Sequence, residues 1–232
     1  MTKGLRIKTT SNIGFLEFFR WLHVTLDIGF GFRDDQRLRV AQILYEAFEG
    51  KYAPIFGSDR SVPMIARHLR GDRTVVATID GTVVGVGGLY FEGKDFIDLT
   101  YWQMLQELKW EIFRVLFSDW IFHVRVDEKQ LLVDDFAVAE DMRGRGIGTG
   151  MLGFIIEFAR SKGYEEIKLL VIDKNQRARK LYERMGFREE RIRKIPYPWT
   201  RLFDFRQLSE MAYRIQRPSS NQKMIEKEQS QI

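Results

Sequence analysis

The 232-residue chain is 44% hydrophobic and 13% aromatic, enough for a sizeable core in one domain with elaborations. It contains no cysteine, which excludes disulfides, thiolate metal sites and a cysteine nucleophile. The net charge is +5, yet residues 143–194 alone hold fourteen Lys and Arg against seven Asp and Glu, so the basic surplus is local.

Residues 1–23 read as an N-terminal extension whose aromatic patch (Phe15, Phe18, Phe19, Trp21) suits packing or a dimer contact. The most apolar stretch, residues 13–32, is broken by Glu17, Arg20, His23 and Asp27, so no membrane span is expected. With no signal peptide evident, a cytoplasmic protein is expected. Residues 24–33 read as a first strand. Asp34 or Asp35 then caps a helix with Leu38, Ala41, Ile43, Leu44, Ala47 and Phe48 at helical spacing, and Gly50 ends it. A second helix is expected over about 61–69, with Pro63 near its first turn. Residues 74–79 and 82–91 form a hairpin across Asp80-Gly81. Residues 95–126 read as one or two amphipathic helices that either pack on their own domain or serve as a lid or subunit contact. His23, His68 and His123 lack metal-ligand spacing.

An apolar strand at 131–138 leads into Phe136-Ala137-Val138-Ala139-Glu140-Asp141-Met142-Arg143-Gly144-Arg145-Gly146-Ile147-Gly148, and a helix follows over 149–160. A glycine-rich turn before a helix offers backbone N–H groups and a partial positive charge, which together make an anion site. Arg143 and Arg145 add fixed cations, so a phosphorylated ligand is expected. Gly148-x-Gly150-x-x-Gly153 matches the dinucleotide spacing, but that fingerprint needs its first glycine directly after the strand. Here the strand ends about ten residues earlier. A Walker A loop is excluded because no Gly-Lys-Ser/Thr follows.

Downstream come a strand at 167–172, a turn at Asp173-Lys174-Asn175, and a helix over 176–185 closed by Gly186. A strand at 188–195, an aromatic and proline-rich loop at 196–204 and a last strand at 208–215 complete the pattern. Residues 216–232 are polar and expected to be disordered.

Several fixed spacings now coincide over about sixty residues. Phe136-Ala137-Val138, Arg143-x-x-Gly146-x-Gly148, Asn175 and Ala178-x-x-Leu181-Tyr182-Glu183-x-x-Gly186-Phe187 resemble the acetyl-CoA site of the GNAT acyltransferase superfamily. The resemblance implies an α/β (α+β type) fold. Its central sheet is mixed, mostly antiparallel, flanked by helices and splayed between the fourth and fifth strands, here with a helical insertion between the third and fourth. It implies an acyltransferase domain over 24–215, acetyl-CoA as cosubstrate and no metal.

In such an enzyme Phe136, Ala137 and Val138 hold the pantetheine arm through backbone groups. Arg143, Gly144, Arg145, Gly146, Ile147, Gly148 and Thr149 bind the pyrophosphate, and Asn175 meets the arm from the other side. Tyr182 protonates the leaving thiolate, since a phenol keeps its proton at neutral pH. The amine attacks directly. Asp134 and Asp135 lie adjacent in an apolar strand, which is costly unless a polar cleft receives one of them. Alternation sends them to opposite faces, with Asp134 on the side of Leu132 and Phe136, and Asp134 is the expected base. Related histone-type enzymes carry their glutamate two residues earlier, where this chain has Leu132. N-terminal acetyltransferases of the family carry one on the fifth strand, where it has Leu170. A water relay is the other route. The acceptor is a small-molecule amine or a peptide, with a homodimer among the expected assemblies. A non-catalytic acyl-CoA-binding module and a nucleic-acid-binding protein that uses the basic half are the competing readings.

Overall fold

A computed structural model describes residues 25–99, 103, 121–197, 200–203 and 205–216. The expected extension at 1–23, most of the expected insertion at 95–126, and the expected tail beyond Gln216 lie outside the described residues. Seven strands form one sheet: β1 (Leu26–Phe30), β2 (Thr74–Ile79), β3 (Thr82–Tyr90), β4 (Gln130–Val138), β5 (Glu166–Ile172), β6 (Arg188–Lys194) and β7 (Gln207–Arg214). Their order is β1-β2-β3-β4-β5-β7-β6. β4 and β5 run parallel, and every other pair is antiparallel. The sheet is therefore mixed and mostly antiparallel, as the resemblance implies.

Helices cover both faces. α1 (Arg37–Ala47), α2 (Glu49–Phe56) and α3 (Ser58–His68) cover one, while α4 (Ile147–Lys162) covers the other; α5 (Gln176–Arg184) and the short α6 (Thr200–Phe203) follow. Val40, Leu44, Tyr52 and Ile65 pack on Val76, Val86 and Ala137 of the sheet. On the opposite face Met151, Leu152, Ile155 and Ala159 of α4 meet Val75, Ala77, Leu131 and Val133. Each large apolar side chain buried here stabilises the fold by about 1.5–3 kcal/mol. β3 approaches its neighbours through glycine. A Cβ on Gly85 would lie 2.6 Å from Met151 Sδ, and one on Gly88 would lie 2.5 Å from the Phe96 ring.

The first part of the chain departs from the sequence expectation. Asp34 and Asp35 begin a 3-10 turn (Asp34–Gln36) with no side-chain cap; instead Gln36 Oε1 accepts the Arg33 N–H at 2.9 Å. Gly50 does not end a helix. α1 stops at Ala47, and after Phe48 alone the chain enters α2, with Gly50 in its first turn. α3 begins at Ser58, so Pro63 is its sixth residue rather than near the start, and Pro54 likewise lies inside α2. Burial of Ile55, Phe56, Met64 and Ile65 outweighs the lost backbone bonds.

Two features of β4 create the site. Its pairing with β5 ends at Val133↔Leu169, so 134–138 and 170–172 diverge and leave a wedge between them. Its register with β3 slips at the same point: Leu89 faces Val133 while Gly88 faces Asp135, leaving Asp134 as the extra residue of a β-bulge. The bulge resets the alternation. Phe136 and Val138 pack on the α4 side, whereas Asp135 bonds to α2 and Ala137 packs among the α1–α3 side chains.

Candidate active site

The glycine loop delivers the geometry its sequence suggests. Gly144 (φ 81°) and Gly146 (φ 74°) adopt left-handed backbone, a conformation that glycine takes without a Cβ penalty. Gly146 is the N-cap of α4, and no side chain caps that helix. The first bond back along the helix runs from the Gly150 N–H to the Gly146 carbonyl at 3.0 Å. The N–H groups of Ile147, Gly148 and Thr149 precede it and point the positive helix end outward.

They open onto a cavity of about 1250 Å³. Phe136, Ala137, Val138, Arg143, Gly144, Gly146, Ile147, Gly148, Thr149, Asn175 and Tyr182 line it, which brings together all but one of the cofactor residues read from sequence. Arg145 is the exception. It is exposed, its guanidinium donates to the Asp141 carbonyl at 3.3 Å, and it does not line the cavity. Arg143 does line it, held by an Nε bond to the Val138 carbonyl at 3.1 Å. Arg177, Lys180 and Arg184 of α5 also face the cavity, against Glu46 and Glu157. Arg179, in the same basic segment, turns away to Glu183 (3.0 Å) and Glu189 (2.9 Å). Helical spacing explains the split: Arg177, Lys180 and Arg184 fall at i, i+3 and i+7 on one face.

Tyr182 is 5% exposed and lines this cavity. Its ring meets the edge of Phe136 at 6.4 Å between centroids and leans on Phe187 at 5.9 Å. Burial, and then the Asp135 charge, push the phenol above the ordinary tyrosine range, so it holds its proton throughout neutral pH. Asn175 caps α5, its side-chain oxygen accepting the Ala178 N–H at 3.1 Å. With the oxygen accepting that bond, the amide N–H₂ is the group of Asn175 left to donate.

Across β4 lies a second cavity of about 630 Å³, lined by α2, the end of β3, residues 95–99 and 122–126, and Leu132 and Asp134 of β4. Here a charge cluster that the sequence did not reveal comes together. Lys51 Nζ is 2.8 Å from Asp135 Oδ1 and 3.3 Å from Asp134 Oδ2, and the Tyr52 hydroxyl donates to Asp135 Oδ2. The two aspartates therefore do not face opposite sides, and Asp134 does not share a face with Phe136. The bulge turns both carboxylates toward α2. Burial alone would push Lys51 down, but the Asp134 and Asp135 charges outweigh it and hold the amine above the ordinary lysine range. Burial also raises the Asp135 carboxyl, opposed by Lys51, and raises the Tyr52 phenol with help from Asp135. Asp95 lines the same cavity, and burial followed by the Asp134 charge pushes it up to about 7.

This arrangement has relatives. A probable N-acetyltransferase named camello from Xenopus tropicalis is 35% identical over 69 residues, which is 30% of this chain and 32% of that protein. A thialysine N-epsilon-acetyltransferase from Bos taurus is 34% identical over 58 residues, 25% of this chain and 34% of that protein. The chain thus matches about a third of the length of these curated relatives. The crystal structure of an N-acetyltransferase from Staphylococcus aureus Mu50 shares the fold at a TM-score of 0.56 and 18% identity, covering 80% of this chain and 99% of that one. The family model described as acetyltransferase (GNAT) family matches residues 38–187, a span that runs from α1 through the glycine loop to Phe187, and the chain belongs to that family.

Proposed function

We propose that this protein transfers the acetyl group of acetyl-CoA directly to an amine. The observation that carries this reading is the wedge itself. β4 leaves β5 at Val133↔Leu169, beside a cavity lined both by a helix N-terminus with no side-chain cap and by Tyr182. A polyanionic coenzyme with a long polar arm matches a cavity bearing Arg143, Arg177, Lys180 and Arg184 at its phosphate end and open β4 backbone at its arm end. Phe136, Ala137 and Val138 hold the arm, and the Asn175 amide donates to it from the opposite wall. Gly144, Gly146, Ile147, Gly148 and Thr149 surround the pyrophosphate, with Arg145 outside that set.

The amine approaches through the wedge from the Asp134 side of β4. Its lone pair forms the C–N bond, the carbonyl oxygen takes up charge against β4 backbone N–H groups, and the C–S bond breaks. The Tyr182 hydroxyl gives its proton to the departing thiolate and recovers one from the new amide nitrogen. No cysteine is available for a covalent acetyl-enzyme, which favours direct attack. The acidic cluster on the far side of β4 favours an enzyme over a passive acyl-CoA-binding module, because a binder has no use for proton acceptors across from the thioester. We also read the protein as cytoplasmic, on the strength of the acetyl-CoA it uses.

Titration calorimetry with acetyl-CoA tests the donor half of this reading. One site per chain is expected, abolished or weakened at least tenfold in Gly148→Val, whose side chain would enter the cavity beside Leu181, Phe136 and Val138. Absence of binding by the wild-type protein would refute it.

A further inference from the structure

The smaller cavity carries information about the acceptor. Its volume, about 630 Å³, is that of a small-molecule pocket rather than a peptide groove. Tyr52, Phe56, Tyr90, Phe96 and Phe122 supply aromatic walls, and aromatic faces attract cations, most strongly out of water. Lys51 already lies 5.5 Å from the centroids of Tyr52 and Phe122, so this wall accepts a cation in the protein itself.

The carboxylates divide into two kinds. Asp134 and Asp135 share Lys51. Asp95 is different: its carboxylate accepts the neighbouring Phe96 N–H at 2.6 Å, and among the described residues no cation lies within ion-pair distance of it. The groups facing it are Lys51 and Tyr52 from α2, Tyr90 from β3, His123 and Arg125 from the 122–126 segment, and Asp134 from β4 with Asp135 behind it. Lys51 is committed to the β4 pair, and Arg125 is exposed at the rim. The cavity therefore offers, among aromatic rings, a carboxylate that feels the Lys51 charge but has no direct ion pair among the described residues, on the side of β4 from which an amine would reach the thioester.

We propose that this cavity is the acceptor pocket and that it selects a small primary amine carried as an ammonium on an apolar or aromatic stem, with Asp95 as the carboxylate that pairs with the ammonium and takes its proton. This rests on the acetyl-transfer reading above. The step balances. R–NH₃⁺ gives one proton to Asp95, and the neutral nitrogen attacks the thioester carbon. The thiolate leaves with the Tyr182 proton, a second nitrogen proton restores Tyr182, and Asp95 releases its own to solvent. A carboxylate on the acceptor next to the amine would meet Asp95 and Asp134 and be repelled. Because Asp95 is poised at about 7, kcat/KM falls with unit slope as pH drops below that value.

The test uses a matched pair, 2-phenylethylamine and phenylalanine, together with a short peptide bearing a free N-terminus. Each is assayed for acetyl-CoA-dependent acetylation, and acetyl-CoA affinity is measured in parallel. The expected result is at least tenfold higher kcat/KM for phenylethylamine than for either other acceptor. Asp95→Asn should lose at least tenfold in kcat and the acid limb near pH 7, Asp95→Glu should recover part of both, and acetyl-CoA affinity should be unchanged in both variants. Equal or better use of phenylalanine or the peptide would overturn the pocket assignment. So would an Asp95→Asn enzyme that keeps the limb, or acetyl-CoA binding with no acetylation of phenylethylamine. A wild-type protein that does not bind acetyl-CoA would instead bring down the acetyl-transfer reading beneath it.

Discussion

Replacing Lys51 by Met leaves two carboxylates in the sheet with no cation between them. Asp135 has a side chain only 2% exposed, and Lys51 stands 2.8 Å from it and 3.3 Å from Asp134. At an effective dielectric near 20, a pair of unit charges about 3 Å apart attracts by roughly 5 kcal/mol, most of which offsets the cost of desolvating the charges. Removing one partner exposes that cost in full, so Lys51→Met should destabilise the protein by about 3–5 kcal/mol at pH 7.5. For a chain of this size each kcal/mol moves Tm by about 2–4 °C, which gives a fall of roughly 6–20 °C. The deficit has a definite pH dependence. Asp135 already titrates above its ordinary value, and without Lys51 it must rise further. A carboxyl raised in the folded state costs nothing below its unfolded value, destabilises increasingly as pH rises from that value toward the folded one, and levels off above it. The gap between variant and wild type should therefore narrow toward pH 5, and adding Asp135→Asn to the Lys51→Met variant should restore part of the loss at pH 7.5. Differential scanning calorimetry from pH 5 to 8 reads both effects. A Tm change under about 2 °C, or a gap that widens toward acid, would refute the buried-cation account.

Tyr182→Phe should lower kcat by about 10²-fold or more while acetyl-CoA affinity stays within about threefold; unchanged turnover in a pre-steady-state assay would remove the proton-donor role. Gly88→Ala should cost about 1–3 kcal/mol by overpacking, because its Cβ would press on the Phe96 ring, which is 1% exposed. Thermal melts check this, and an unchanged Tm would show that Phe96 moves freely.

That the motif residues would gather around the larger cavity was legible because their spacing is local. A strand, two left-handed glycines, a helix start and a tyrosine one helix later all lie between Gln130 and Tyr182, and each announces itself by spacing or by a backbone demand that glycine alone meets without strain. The charge cluster beside the smaller cavity was hidden for three physical reasons. Lys51 and Tyr52 sit on α2, a helix disguised by Gly50 and Pro54, residues that read as breakers until tertiary packing overrides them. The bulge at Asp134 is an extra residue relative to β3, and no period-2 pattern in β4 alone reveals it. The pairing of Lys51 with Asp135 spans 84 positions, so nothing local records it. One signal was present: two adjacent aspartates in an apolar strand demand a buried cation, and a lone lysine in the apolar stretch between Ala47 and Phe56 was a candidate to supply it. Arg145 stands outside the cavity lining for the opposite reason. Its place in the motif was right, and only the direction of its side chain kept it out of the cavity.

The central claim is that acetyl moves directly from the coenzyme to an amine nitrogen. Incubating the purified full-length protein with acetyl-CoA and 2-phenylethylamine, and following free coenzyme thiol and the acetylated amine together by mass spectrometry, tests it most directly. The two products are expected in equal amounts, only when enzyme and amine are both present, and with no acetylated protein intermediate. Acetyl-CoA that binds tightly but yields no N-acetyl product from this or any other amine would contradict it, and would leave a coenzyme-binding protein in place of the enzyme.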